Sequence, residues 1–158
     1  MTRAVRELAR SAADTEAFGA RLAGCRPPGR ELAVLFLSGE LGAGKTTLAR
    51  GFLGAMGVTA DVRSPTYTLL ELYPAGEITL LHADLYRLQD PAELDTLGLR
   101  DYGQSGYLWL IEWPERGAGH LPAPDLTLTL VVLPDAHTIE ARAHSALGER
   151  WLAQLRAA

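Results

Sequence analysis

The sequence predicts an α/β fold: a parallel sheet with flanking antiparallel strands and helices on both faces, in one domain over residues 1–158. Three observations carry that prediction. Residues 32–37 (Leu-Ala-Val-Leu-Phe-Leu) and 107–111 (Tyr-Leu-Trp-Leu-Ile) are short continuous apolar runs, as in strands buried on both faces. Segments with apolar residues at helical spacing are interspersed with them. Residues 126–132 alternate instead, with Leu126, Leu128, Leu130 and Val132 on one face and Thr127 and Thr129 on the other. That pattern suits a strand with one wet side.

In chain order, residues 14–24 read as a helix, with Ala17, Phe18 and Leu22 on one face and Ser11 or Asp14 as cap. Pro27-Pro28-Gly29 stops it and turns the chain. After the 32–37 strand and a glycine-rich loop, Leu48, Phe52 and Met56 recur at helical spacing, and Gly57 ends that helix. Residues 67–73 and 78–82 are β-rich and predict a hairpin closed by the four residues 74–77. Pro91 opens a short helix that ends at Gly98. Residues 137–143 can pair with the 126–132 strand, and residues 146–155 form a closing amphipathic helix.

Composition excludes several classes. Hydrophobic residues at 47% and charged residues at 22% suit one buried core and argue against wholesale disorder. A formal net charge of −4 argues against an autonomous grip on nucleic acid, whose phosphates call for a basic face. One cysteine, Cys25, rules out an internal disulfide and reads as a small core or surface residue rather than a nucleophile. The chain shows neither the apolar run of a signal peptide near its N-terminus nor a bilayer-length apolar stretch. A cytoplasmic protein with no membrane association is expected.

The chemistry sits in Gly39-Glu40-Leu41-Gly42-Ala43-Gly44-Lys45-Thr46, followed by Thr47, which has the P-loop spacing of glycine, four residues, then Gly-Lys-Thr. The glycines permit positive φ and let backbone N–H groups converge on phosphate oxygens without a Cβ in the way. The helix starting near Lys45 aims its free N–H groups and positive dipole end at the same anion. Lys45 adds a full charge for the β- and γ-phosphates, and the Thr46 hydroxyl is placed to ligate magnesium. A chance glycine turn would not need an apolar strand before it and an amphipathic helix after it. This one has both, so the loop predicts a P-loop NTPase-like sheet that binds a nucleoside triphosphate with Mg2+. The carboxylate of Glu40 should point away from the phosphates.

Turnover also needs an acid at the end of a neighbouring strand. Two apolar runs end in one, Tyr-Leu-Trp-Leu-Ile-Glu112 and Ile-Thr-Leu-Leu-His-Ala-Asp84, and spacing does not choose between them. Ser64-Pro65-Thr66-Tyr67-Thr68 lies where many P-loop proteins sense the γ-phosphate through a hydroxyl. Thr66 or Thr68 is in reach, and Thr68 by pattern opens a strand; Thr66 and Lys45 are therefore candidate catalytic residues, with Asp84 or Glu112 as the acid.

Four strings in this order, Gly-Glu-Leu-Gly-Ala-Gly-Lys-Thr-Thr-Leu-Ala-Arg-Gly, Ser-Pro-Thr-Tyr-Thr-Leu, His-Ala-Asp-Leu-Tyr-Arg-Leu and Ile-Glu-Trp-Pro-Glu, resemble the TsaE (YjeE) family over residues 36–122. The resemblance implies a slow, magnesium-dependent ATPase required for threonylcarbamoyladenosine modification of tRNA, next to the anticodon. It implies TsaB and TsaD as partners, with tRNA engaged only indirectly. On the same basis residues 41–46 hold the phosphates, Thr46 and Glu112 ligate magnesium, and Asp84 lies near the γ-phosphate. Residues 64–68 become a switch-like loop and Trp113 flanks the site. Adenine is expected near residues 11–15 and the turn at 134–137, where Pro-Asp-Ala-His lacks the glycine expected from the family.

Other residues read more plainly. His82 is expected to be a packed histidine and Trp109 a core residue, whereas the Trp113-Pro114-Glu115 corner suits a contact role. The Tyr86-Arg87 pair reads as surface, with Arg87 a candidate phosphate or partner contact by the resemblance. The alternative function is a small-molecule kinase on the same scaffold, for which residues 98–106 with Arg100 form the only comparable lid.

Overall fold

The computed structural model describes residues 4–59 and 69–158. Seven strands form one sheet in the order β1-β7-β6-β2-β5-β4-β3. Its centre is parallel: β2 (Ala33–Gly39) lies between β5 (Tyr107–Glu112) and β6 (Leu126–Val132), and β4 (Ile78–Asp84) runs parallel to β5. The flanks are antiparallel: β3 (Leu70–Ala75) on β4, β7 (His137–Ala143) on β6, and β1 (Ala4–Ala9) on β7. The predicted architecture is therefore present.

Side-chain parity divides the core. Leu35, Leu37, Leu80, Leu108, Leu110 and Leu128 face α1 (Ala12–Gly24), α2 (Lys45–Ala55) and α3 (Ala146–Ala157). Val34, Leu81, Trp109 and Ile111 face the other way, under Leu88, Leu94 and Leu99. That second face is covered by short 3-10 helices at Pro91–Leu97, Leu99–Tyr102 and Pro114–Gly117. Helices thus lie on both faces, with all three α-helices on one.

Local chemistry explains the helix limits. Ser11 caps α1 by accepting the Asp14 N–H at 3.1 Å, while the Asp14 carboxylate accepts the Arg10 N–H at 2.9 Å, so both predicted cap residues act. α1 and α2 cross closely because a Cβ on Gly51 would lie 1.9 Å from the Glu16 carbonyl oxygen, and one on Gly19 would lie 2.1 Å from that of Leu48. Phe52, fully buried, meets Trp151 of α3 with ring centroids 6.2 Å apart, and the Trp151 indole N–H donates to the Leu22 carbonyl. Burying side chains of this size is worth about 1.5–3 kcal/mol each.

Three details differ from expectation. β1 has no periodic signal, since Val5 is half-buried and Leu8 is 42% exposed; pairing with β7 makes it a strand. The hairpin loop is two residues, Gly76 and Glu77, because Pro74 and Ala75 join β3, an edge strand that tolerates proline. Val132, expected on the buried face, is 45% exposed because β6 there runs past the core to the rim of a cavity.

Candidate functional site

The parallel centre brings the carboxyl ends of β2, β5 and β4 together at one edge of the sheet. β2 runs straight into the glycine-rich loop, and α2 starts at Lys45. Gly39, Gly42 and Gly44 all adopt positive φ, at 152°, 82° and 105°. At Gly39 the need is doubled, since a Cβ would lie 2.6 Å from the Leu130 carbonyl oxygen. Ala43 is buried, Leu41 is 71% exposed, and Glu40 is exposed as expected.

Lys45 is buried, and its ammonium donates to the carbonyls of Gly39 at 2.5 Å and Glu40 at 2.9 Å. The same nitrogen stands 4.3 Å from the centroid of the Trp113 ring. Burial pushes its pKa below the ordinary lysine value, while Glu112, Asp84 and Glu115 pull it back.

Asp84 and Glu112 are direct neighbours across β4 and β5, so the topology brings both predicted acids to one site. They differ in what they touch. The Thr46 hydroxyl donates to Glu112 Oε1 at 2.9 Å, and His82 Nε2 lies 2.6 Å from Glu112 Oε2. Asp84 Oδ1 instead accepts the Tyr86 N–H at 3.0 Å, bending the chain after β4. His82 is fully buried as expected, yet it also orients the acid. That role carries no local sequence signal, because Glu112 lies on another strand 30 positions away.

Directly after Glu112 the backbone turns through a left-handed residue, Trp113 at φ 57°. Such a conformation costs a bulky residue about 1 kcal/mol or more. It presents the indole to Lys45, and Tyr86 packs on that ring with centroids 4.9 Å apart. Tyr86 belongs to the site, which pattern alone did not reveal; Arg87 is exposed and lines neither cavity around the loop. Thr66 and the rest of the 64–68 segment lie outside the described residues.

Two cavities flank the loop and share Gly42, Gly44 and Thr47. The smaller, about 220 Å³, is walled by Lys45, Thr46, Asp84, Tyr86, Glu112 and Trp113. The larger, about 440 Å³, lies between the start of α1 (Ser11, Ala12, Thr15) and the turn at Pro134–His137. His137 Nδ1 reaches from this turn to the Ala43 carbonyl at 2.8 Å, a contact sequence reasoning missed.

A strand, a glycine loop and a helix, facing two strand-end acids on a mixed sheet, define a P-loop-type α/β protein. Residues 9–141 match the family described as "Threonylcarbamoyl adenosine biosynthesis protein TsaE". The chain belongs to the TsaE family. It is 47% identical over 116 residues to the tRNA threonylcarbamoyladenosine biosynthesis protein TsaE of Haemophilus influenzae, covering 73% of each chain. It is 35% identical over 133 residues to the protein of the same name from Treponema pallidum, covering 84% of this chain and 96% of that one. The crystal structure of YdiB from Bacillus subtilis superposes with a TM-score of 0.80 at 29% identity, covering 99% of this chain and 97% of the other.

Proposed function

We propose that this chain is a slow, magnesium-dependent ATPase of tRNA threonylcarbamoyladenosine biosynthesis, in which bound ATP gates association with the TsaB and TsaD partners. The observation that carries the nucleotide reading is the convergence of Lys45, Thr46, Asp84 and Glu112 around the 220 Å³ hollow beside the loop. The loop amides and Lys45 hold the phosphates, and the 440 Å³ cavity beyond Gly44 takes the base.

Among the described residues no three His, Cys, Asp or Glu side chains converge as a metal cage. That suits magnesium, which takes one or two protein oxygens and completes its shell with phosphate and water. The Thr46 hydroxyl and Glu112 carboxylate, 2.9 Å apart, are the donors that fit it. When bound, the ion would neutralise charge on the β- and γ-phosphates. His82 holds Glu112 in place, and Asp84 lies where an acid can orient water at the γ-phosphate. Trp113 and Tyr86 wall the hollow and limit bulk water.

The pathway role rests on the family, and the partners TsaB and TsaD on what the family resemblance implies. Net charge of −4 fits a protein that engages tRNA only through them. Among the described residues no helix is long and apolar enough to cross a membrane. The kinase reading is weaker. Arg100, its lid candidate, lines a separate cavity of about 510 Å³ that shares no residue with the phosphate hollow. The deciding experiment measures ATP binding, phosphate release and capture of TsaB–TsaD with and without ATP. Phosphate release only with an acceptor would favour the kinase. Equal capture in both nucleotide states would reject the gate.

A further inference from the structure

We propose that His137 is a positioning residue of the phosphate loop: its Nδ1–H holds the Ala43 carbonyl and thereby aims the Gly44 N–H at a bound phosphate. The inference rests on the nucleotide reading above and deepens it. A carbonyl can only accept, so the 2.8 Å contact requires the proton on Nδ1. No cis peptide bond occurs among the described residues, and in a trans peptide the C=O and N–H point in opposite directions. Drawing the Ala43 oxygen toward β7 therefore turns the Gly44 N–H away from β7, the side of the Lys45–Thr46 hollow that Gly44 also lines.

Such a pin has work to do. Gly44 sits at φ 105°, and a glycine can flip its preceding peptide at little steric cost. A flip would present the Ala43 oxygen to the phosphate in place of an N–H. On its other side the Ala43 N–H donates to the Glu40 carbonyl at 3.0 Å. His137 itself is well anchored, because it opens β7 and pairs with Val132 on one side and Ala9 on the other. The turn that shapes the 440 Å³ cavity thus also fixes a donor of the phosphate loop.

The test uses the full chain. An imidazole nitrogen correlation spectrum of the ligand-free protein should show His137 protonated at Nδ1; protonation at Nε2 alone would overturn the pin. ATP titrations should show His137→Ala about tenfold weaker than wild type, with its melting temperature in the absence of nucleotide nearly unchanged. His137→Asn, whose amide nitrogen can stand where Nδ1 stands, should recover most of that loss, and His137→Gln should not. Equal affinity in wild type and His137→Ala would overturn this inference alone, as would equal losses in the Ala and Asn variants. Failure of the wild type to bind ATP at all would instead overturn the nucleotide reading beneath it.

Discussion

The two cavities on either side of the phosphate loop share three residues and little chemistry. The smaller one gathers a buried lysine, two strand-end carboxylates and a hydroxyl, each hydrogen-bonded to another group of the chain. The larger one is walled by the first turn of α1, the 134–137 turn and apolar Ala9, Val132 and Leu133. In the proposed function the charged half takes phosphate and metal, and the other takes the flat base. The difference teaches that a single loop can separate where binding energy comes from and where chemistry happens.

Breaking the charged half should have the largest effect. Lys45→Ala is expected to lower ATP affinity by roughly 100-fold, since it removes charge-assisted hydrogen bonds in a buried setting. Calorimetric titration checks this; wild-type affinity would remove Lys45 from the site. Glu112→Gln comes next. It keeps the shape but removes the one carboxylate charge assigned to magnesium, so magnesium-supported turnover should fall roughly tenfold or more while binding without metal changes little. Equal losses with and without metal would count against a metal role.

The larger half is probed by filling it. Ala12→Trp at the mouth of the cavity should weaken ATP by about tenfold and leave pyrophosphate binding unchanged, because only the base would be displaced. Parallel loss of both ligands would mean that the cavity does not take the base.

The smallest effect is on pH dependence, and it sharpens the charged half. Lys45 titrates below its ordinary value, 10.5, chiefly because it is buried. Anion affinity should therefore start to fall at lower pH than a free lysine would dictate. Folding moves the other way. Between the lowered pKa and 10.5 the unfolded chain binds the proton that the folded chain has lost, so stability without ligand rises with pH across that window. Urea melts of wild type at alkaline pH should show this rise, and Lys45→Ala should lack it.

Much of the sheet was legible because its strands carry their own signal. The 126–132 strand and its partner at 137–143 needed only alternation, and the 107–111 run needed only its unbroken apolarity. β1 was not legible: it alternates poorly and exists through hydrogen bonds to β7. The hairpin turn was misplaced because Pro74 reads as a breaker, and only an edge position makes it harmless. In the site, the loop and both acids were visible as motifs. His82 and His137 were not, since each acts on a residue 30 or 94 positions away.

The sequence alone determined the loop, because phosphate recognition through backbone amides demands glycines, a lysine and a hydroxyl at fixed short spacing. It also determined which acids could serve, since each ends an apolar run. Only the tertiary structure decided their order of contact. Asp84 and Glu112 stand side by side at the end of the sheet, and Glu112 alone touches both Thr46 and His82 in the described contacts. Strand order sets that, and strand order comes from packing between distant segments, which no local spacing records.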